Sequence, residues 1–122
     1  AVGSPADLTP GRAPETLHLA TFADLGMARA ERDVVVLDVR RNLEWRESHI
    51  VGAVHLPVHE LFRRLDEVPD AEVWVHCRSG YRASVAASIL AAAGRRVVAI
   101  DDYYDNAAPS GLQVRRAEEV LT

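Results

Sequence analysis

The sequence predicts an α/β domain built on a mostly parallel sheet, and three observations favour that fold class. Short apolar runs rich in β-branched residues recur along the chain, and stretches with helical spacing separate them. Residues 34–39 (VVVLDV) form a continuous apolar run of the kind found in strands that are buried on both faces. The chain has 122 residues, of which 48% are hydrophobic, and this suffices for one domain with a single core.

The predicted strands and helices alternate in chain order, as expected when helices cross over between parallel strands. Strands are predicted over residues 17–20, 34–39, 53–56, 73–76 and 97–100. Helices are predicted over residues 23–31, 43–48, 58–65, 82–93 and 105–108, followed by an irregular end. Thr21 is expected to cap the first helix, since its hydroxyl can accept a free backbone N–H.

The most regular helical pattern covers residues 82–93, where apolar side chains at three- and four-residue spacing predict the buried face. These side chains are Val85, Ile89, Leu90 and Ala93, and Gly94 is expected to end the helix. In the helix over residues 58–65, one face is expected to carry Leu61, Phe62 and Leu65. Ligands of parallel sheets bind beyond the carboxyl ends of the strands, so the loop after residues 73–76 is the expected site.

The first fifteen residues are predicted to form a linker or mobile arm, and the domain is expected over residues 16–122. Residues 1–15 are rich in proline and glycine and show no hydrophobic periodicity. An arm of this kind suggests a module that belongs to a longer protein.

Composition excludes several classes of function. The single cysteine, Cys77, excludes an internal disulfide and any multi-cysteine metal site. The net charge of −4 argues against nucleic acid as a partner, because phosphate backbones require a basic face. No apolar run approaches the roughly 18 residues of a membrane span, and no signal peptide is evident. We therefore expect a cytoplasmic protein that does not bind a membrane.

The segment Cys77-Arg78-Ser79-Gly80-Tyr81-Arg82 connects a predicted strand directly to a predicted helix. Such a loop can turn backbone N–H groups inward, and the helix N-terminus adds positive potential, so it is typical of an anion site. Gly80 supplies backbone freedom, and two arginines lie near the sulfur. These surroundings favour the thiolate of Cys77 and predict a nucleophile. The alternative interpretation, an inert buried cysteine, would not require so much polarity.

Three segments, in order along the chain, carry a family resemblance. They are Leu37-Asp38-Val39-Arg40, Glu44-Trp45 with the stretch from His49 to Pro57, and Val75-His76-Cys77-Arg78-Ser79-Gly80-Tyr81-Arg82-Ala83. Together they resemble the rhodanese domain, a sulfurtransferase family, over most of residues 17–111. The resemblance implies a five-stranded parallel sheet with helices on both faces, and a Cys77 that receives a sulfane sulfur. Ser48 stands where the family usually has glycine.

The implied reaction is a double displacement through a persulfide on Cys77. Thiosulfate or a thiol persulfide is the expected donor, and a thiol, a protein thiolate or cyanide is the expected acceptor. The expected cradle for the persulfide anion is formed by the N–H groups of Ser79, Gly80, Tyr81 and Arg82. Arg78 is expected to bind the donor at the mouth, while Arg82 also braces the loop. No metal and no cofactor are expected.

Other residues of these segments are assigned supporting roles. Asp38 and Arg40 are expected to form a structural ion pair, and Glu44 to hold the region of Arg40 or Arg41. His76 is expected to point away from Cys77, because side chains alternate along a strand. Packing roles are expected for Trp45, His49, His55 and Trp74, and a place at the pocket rim for Tyr81.

The chain departs from the family pattern after its last strand, where Ile100-Asp101-Asp102-Tyr103-Tyr104 replaces the usual Gly-Gly and Trp. Asp101 and Asp102 are expected either to be surface residues or to shape the pocket and disfavour thiosulfate. With the Pro-rich arm, this pair is also similar to rhodanese domains appended to metallo-β-lactamase-fold hydrolases.

A sulfurtransferase with catalytic turnover is one possible function, and other functions stay open. One is a persulfide carrier or regulatory module that serves a fused or partner sulfur enzyme. An inactive interaction domain is disfavoured by the intact set of Cys77, Gly80 and Arg82. A phosphatase is disfavoured because four residues separate Cys77 from Arg82, whereas the related phosphatases have five and a wider cradle.

Overall fold

A computed structural model describes residues 17–117, so the arm predicted over residues 1–15 lies outside the described residues. The strands are β1 (Leu19–Ala20), β2 (Val35–Asp38), β3 (Ser48–Ile50), β4 (Val54–His55), β5 (Val73–His76), β6 (Val97–Ile100) and β7 (Val114–Arg116). The α-helices are α1 (Phe22–Glu31), α2 (Asn42–Glu47), α3 (Val58–Leu61) and α4 (Tyr81–Ala92). Turns of 3-10 helix cover Phe62–Glu67 and Tyr104–Asn106. The ends of the domain predicted over residues 16–122 stay a prediction.

Five strands form one parallel sheet in the order β1-β6-β5-β2-β4. These are the five predicted strands, and the first three are shorter than predicted. The order places β5 at the centre, where Val75 is paired with Leu37 on one side and Ala99 on the other. The predicted α/β class and its five-stranded parallel sheet are therefore confirmed.

Side chains of the central strands alternate between two apolar cores, one on each face of the sheet. Val75 lies in a core with Leu90 of α4, whereas Trp74 lies in the opposite core with Phe22 and Leu25 of α1. Because successive side chains are buried on opposite faces, these strands appear in the sequence as unbroken apolar runs. Helices cover both faces, as predicted.

The buried face predicted for α4 is partly wrong. Val85 is 39% exposed and Ala93 is exposed, while Ile89 is half-buried. The residues of α4 that are buried are Ala83, Ala86, Ala87 and Leu90. Small alanine side chains allow the helix backbone to lie close to the sheet, so the alanine face turns inward and Val85 turns outward.

The segment predicted as a helix over residues 58–65 changes geometry part-way. It is α-helical to Leu61 and continues as a 3-10 turn. Leu61 is fully buried and Leu65 is half-buried, but Phe62 is 75% exposed, so its predicted place on the same face as Leu61 and Leu65 is wrong. Neighbouring residues of a helix do not share a face, and the core is already occupied by Leu61.

A two-stranded antiparallel ribbon of β3 and β7 was not predicted from the sequence. Ser48 is paired with Arg116, and Ile50 with Val114. The end predicted to be irregular therefore contains a strand, and a 3-10 turn replaces the helix predicted over residues 105–108. Each strand of the ribbon has three residues, and its partner is distant in sequence, so no local periodicity marks it.

Two predicted boundary residues behave as expected. Thr21 caps α1, because its hydroxyl accepts the N–H of Asp24 at 3.1 Å and its own N–H donates to the Asp24 carboxylate. Gly94 follows α4 with a φ of 81°, in the left-handed region that ends helices. No helix within residues 17–117 has the length and apolar character needed to cross a membrane.

Candidate functional site

The site lies where the central strand of the sheet runs directly into α4. β5 ends at His76, Cys77 follows at once, and α4 begins at Tyr81. The side chains of β5 alternate, so His76 faces the α1 side and Cys77 lies in the core on the α4 side. The prediction that His76 points away from Cys77 is therefore confirmed.

The sulfur of Cys77 lies among backbone donors at the start of α4. Its Sγ accepts the N–H of Gly80 at 3.1 Å and the N–H of Ala83 at 3.2 Å. The N-cap of α4 is Gly80, which has no side chain to cap the helix, so the sulfur takes that place. Cys77 is only 1% exposed. A buried sulfur with two N–H donors at a helix N-terminus is arranged to hold negative charge.

Gly80 adopts a backbone conformation that other residues rarely adopt. Its φ is 111°, and a Cβ at this position would lie 2.8 Å from Oδ1 of Asp101. The loop and the chain after β6 are therefore in close contact. Two carboxylates, Asp101 and Asp102, stand after β6 in place of the residues usual in the family. Of these two, Asp101 is the one that lies against the loop.

Asp102, which follows Asp101, has a structural role. Its carboxylate accepts the N–H of Phe22 at 3.0 Å, the N–H of Tyr103 at 2.8 Å and the side-chain amide of Asn106 at 2.6 Å. Burial opposes its ionised form, but these three hydrogen bonds hold the pKa of Asp102 below its usual value. The carboxylate joins the first residue of α1 to the turn after β6.

Arg82 links the start of α4 to α2. Its guanidinium donates to both carboxylate oxygens of Glu44, at 2.7 and 3.0 Å. The hydrogen bonds with Arg82, followed by the N–H of Arg41, lower the pKa of Glu44 to about 2 against the opposing effect of burial. The hydrogen bonds and the negative charge of Glu44 raise the pKa of Arg82 against the opposing effect of burial.

The predicted ion pair of Asp38 and Arg40 is present and buried. The two side chains are 0% and 2% exposed, and Nη2 of Arg40 lies 2.8 Å from Oδ2 of Asp38. Arg40 also donates to the carbonyl of Ser48 at 2.7 Å and lies 4.0 Å from the centre of the Tyr104 ring. Nε2 of His76 is 3.5 Å from Asp38, and burial lowers the pKa of this histidine.

The other residues of the predicted cradle differ in exposure and in whether their N–H groups donate to the sulfur. Ser79 is exposed and Tyr81 is 77% exposed, and the place at the pocket rim expected for Tyr81 stays a prediction. Within residues 17–117, the N–H groups that donate to Sγ are those of Gly80 and Ala83, so Ala83 is a donor that the sequence interpretation missed. The sequence could have indicated Ala83, because the N–H of the third residue of a helix has no partner within the helix.

Arg78 is exposed and lines a polar cavity beside the loop. Its carbonyl accepts the N–H of Tyr104 at 2.8 Å, which fixes the loop to the turn after β6. The cavity extends to Ser48 and to the ribbon strand β7. This neighbourhood could not be predicted, because the ribbon that forms one wall was not predicted.

The remaining residues named from the sequence pack as expected. Trp45 lies between two histidine rings, at 3.7 Å from the ring centre of His49 and 4.6 Å from that of His55. His55 also donates from Nε2 to the carbonyl of Arg40 at 2.8 Å. Trp74 is 6% exposed. Trp45 and the two histidines pack beside the loop after β2, whereas Trp74 lies in the apolar core on the α1 side.

The arrangement around Cys77 is suited to nucleophilic chemistry at its sulfur atom. Two N–H donors and a helix N-terminus can stabilise a thiolate or a persulfide anion. Within residues 17–117, no group of three or more histidine, cysteine, aspartate or glutamate side chains could hold a metal ion.

Comparison with known proteins gives consistent matches. The family described as Rhodanese-like domain matches residues 21–106. A rhodanese-related protein from Thermoplasma volcanium has a solved structure with a TM-score of 0.72 and 24% identity, over 80% of this chain and 97% of that one. The shared structure supports the fold.

Three curated proteins match parts of the chain. An HTH-type transcriptional regulator of Mycobacterium tuberculosis is 38% identical over 85 residues, which are 67% of this chain and 38% of that protein. YrkF of Bacillus subtilis, named as a candidate sulfur carrier, is 33% identical over 57% of this chain and 38% of its own length. A protein of Allochromatium vinosum named Sulfurtransferase is 37% identical over 48% of this chain and 55% of its own length. The chain therefore spans between 38% and 55% of these relatives.

Proposed function

This chain belongs to the rhodanese-like domain family, and from that premise we propose that it transfers a sulfane sulfur through a persulfide on Cys77. The donor is thiosulfate or a thiol persulfide, and the acceptor is a thiol or, in an assay, cyanide. Similarity to a protein named as a sulfurtransferase and to one named as a candidate sulfur carrier supports this chemistry.

The observation that carries the proposal is the environment of the Cys77 sulfur. Sγ accepts two backbone N–H groups at the N-terminus of α4, where the helix dipole adds positive potential. An inert buried cysteine has no need of two backbone donors, whereas a thiolate does. The same donors can stabilise a negative charge one atom further out, on a persulfide.

The reaction needs no external oxidant or reductant. The thiolate of Cys77 attacks the outer sulfur of thiosulfate, the S–S bond breaks, and sulfite leaves with the bonding electron pair. Cyanide or a thiolate then attacks the outer sulfur of the Cys77 persulfide, and the thiolate of Cys77 is regenerated. The described cradle acts in both steps by stabilising the anionic sulfur.

Intact mass spectrometry tests this proposal directly. We expect incubation with thiosulfate or with glutathione persulfide to add one sulfur atom to the protein, and cyanide to remove it. Peptide mapping should place the added sulfur on Cys77. The Cys77→Ser variant should stay folded and gain no sulfur, because serine preserves the size but not the nucleophile. Sulfur loading that persists in this variant would overturn the proposal.

A second candidate function is a carrier or regulatory module that holds sulfur without turning over small molecules. Two relatives favour the carrier or regulatory module, because the chain spans only 38% of each of them. One is named as a transcriptional regulator and the other as a candidate sulfur carrier. Both functions require Cys77. Steady-state formation of thiocyanate from thiosulfate and cyanide separates them, because a carrier loads sulfur but turns over slowly with free donors and acceptors.

A further inference from the structure

An exposed carboxylate, that of Asp101, lies against the Cys77 loop and takes no part in the reaction steps. Asp101 directly follows β6, and its backbone N–H donates to the carbonyl of Ala20 at 2.8 Å, so its main chain is fixed at the end of the sheet. The side chain is exposed. Within residues 17–117, its carboxylate has neither a hydrogen-bond donor nor an ion-pair partner. The negative charge of Asp101 is therefore not offset by a direct contact.

Asp101 lies close to the Cys77 sulfur, because both contact Gly80. The N–H of Gly80 donates to Sγ at 3.1 Å, and a Cβ placed on Gly80 would lie 2.8 Å from Oδ1 of Asp101. With ordinary backbone bond lengths, these two distances place Oδ1 no more than about 9 Å from Sγ. The outer sulfur of a persulfide lies about 2 Å beyond Sγ. The carboxylate is therefore within about 11 Å of the sulfur that is transferred, whichever way a donor approaches.

The other charges around the start of α4 differ in how they are held. Arg82 is paired with Glu44 through two hydrogen bonds. The carboxylate of Asp102 accepts three N–H groups from residues around it. Arg78, the residue after the nucleophile, is exposed. An anion at the sulfur is therefore attracted by Arg78 and by the N-terminus of α4. It is repelled by two carboxylates, of which that of Asp101 has no donor of its own.

Two further arginines, Arg40 and Arg116, line the cavity between the loop and the β3–β7 ribbon. Arg40 is buried and paired with Asp38, and Arg116 has a contact of its own. Both add to the attraction for an anion at this end of the sheet. A substitution of Asp101 leaves all these charges in place, so the difference between the parent protein and the variant measures the effect of the Asp101 charge.

A negative charge at this distance discriminates between sulfur donors by their own charge. The Coulomb energy is proportional to the product of the two charges, so Asp101 opposes a dianion twice as strongly as a monoanion. A donor with no net charge is hardly opposed. For an exposed carboxylate about 10 Å away, the expected effect is a rate change of about three-fold for each unit of donor charge.

We propose that Asp101 is a specificity-determining residue that selects sulfur donors of low negative charge over dianions such as thiosulfate. The inference rests on the proposed function and narrows its donor. Thiosulfate carries two negative charges, whereas the persulfide group of a thiol carries at most one. The preferred donors are therefore persulfides of small thiols that bear no further negative charge.

Three donors with the same type of S–S bond test this inference. They are thiosulfate, methanethiosulfonate and 2-aminoethanethiosulfonate, which carry two negative charges, one negative charge and no net charge. In each, the Cys77 thiolate attacks the outer sulfur and the S–S bond breaks. Sulfite, methanesulfinate or 2-aminoethanesulfinate leaves with the bonding pair. The rate at which each donor adds one sulfur to the protein is measured by intact mass at equal concentration.

In Asp101→Asn, we expect the loading rate to rise about ten-fold with thiosulfate and about three-fold with methanethiosulfonate, and to change little with 2-aminoethanethiosulfonate. A change in the reactivity of the thiol itself would multiply all three rates by one factor, so the ratios between donors report the charge. Asp101→Ser, which removes the charge with a smaller side chain, should give the same ratios. Asp101→Glu keeps the charge and should keep the ratios of the parent protein.

Salt and a distant variant provide the controls. In about 1 M salt, where the Debye length is about 3 Å, the difference between the parent protein and Asp101→Asn should shrink. Asp33→Asn removes the same charge from an exposed residue before the start of β2, at the opposite end of the sheet. It should leave all three ratios unchanged.

The outcomes separate this inference from the proposed function. If Asp101→Asn and Asp101→Ser change the rates with all three donors by the same factor, or leave them unchanged, selection by the charge of Asp101 is overturned. Sulfur transfer by Cys77 would then stay intact. No loading by any donor, in a folded protein with a reduced thiol, would overturn the proposed function itself.

Discussion

Position 80 shows how a single residue connects the Cys77 sulfur to the chain that follows β6. The N–H of Gly80 donates to the Cys77 sulfur, its φ of 111° is unfavourable for a side chain, and its Cα faces the carboxylate of Asp101. The loop can aim two N–H groups at one sulfur only because this residue has no Cβ.

We predict that Gly80→Ala lowers the free energy of unfolding by about 2 kcal/mol and slows sulfur loading. The alanine must adopt a positive φ and displace Asp101, which moves the N–H away from the sulfur. Chemical denaturation and intact mass spectrometry measure the two effects.

Two further variants separate these causes. Gly94→Ala shares the positive φ but meets nothing within 4 Å, so we expect a loss of about 1 kcal/mol and normal loading. In an Asp101→Ala background, part of the Gly80→Ala effect should disappear. Equal losses for Gly80→Ala and Gly94→Ala would mean that the contact with Asp101 has no energetic effect.

At the scale of elements, the Glu44–Arg82 pair joins α2 to the start of α4. Both side chains are mostly buried, with 21% and 26% exposure, and the geometry is bidentate. Pairs of this kind stabilise more than exposed ones, because screening by water is weaker. The pair holds the first turn of α4, which supplies one of the N–H donors to the sulfur.

We predict that this pair makes stability sensitive to acid. The pKa of Glu44 falls from 4.5 to about 2 on folding, so its contribution is complete above pH 4.5 and is lost as the pH falls towards 2. Glu44→Gln should lower the free energy of unfolding by about 2 kcal/mol at pH 6. The difference from the parent protein should shrink towards zero near pH 2, as measured by urea denaturation.

Glu67→Gln provides the control for this pH series. Glu67 also pairs with an arginine, Arg64, and that interaction lowers the pKa of Glu67. The carboxylate is exposed, however, so the change in stability should be smaller. A difference between Glu44→Gln and the parent that does not vary with pH would show that the pair does not act through the charge of Glu44.

At the scale of the whole molecule, β5 holds the site because it is the strand most enclosed by the fold. It is paired on both sides, by β2 and β6, and all four of its residues are buried. The β3–β7 ribbon contains only two strands of three residues each. Cys77 therefore directly follows the most enclosed strand of the sheet, while the cavity beside its loop borders a short two-stranded ribbon.

We predict that backbone hydrogen exchange is slow in β5 and β2 and faster in the β3–β7 ribbon. Backbone amides of β5 and β2 should exchange only through global unfolding, with the protection expected from the total stability. Amides of the ribbon should exchange faster, through local opening. Exchange monitored by NMR or mass spectrometry measures both, and ribbon amides as protected as those of β5 would contradict the prediction.

The parallel sheet, the place of the Cys77 loop between a strand and a helix, and several supporting contacts could be predicted from the sequence alone. Strands buried on both faces leave unbroken apolar runs, and the residues of the Cys77 loop are contiguous, so both are local signals. The pair of Asp38 and Arg40 also lies within three residues. Such features can be predicted because the groups involved are neighbours in the chain.

The residues that surround the loop depend on tertiary packing. The contact of Asp101 with Gly80, the pairing of β3 with β7 and the cavity between loop and ribbon join segments that are distant in sequence. The alanine face of α4 was likewise set by close packing on the sheet rather than by the largest apolar side chains. Local periodicity carries no information about such contacts, because they depend on how whole elements pack against each other.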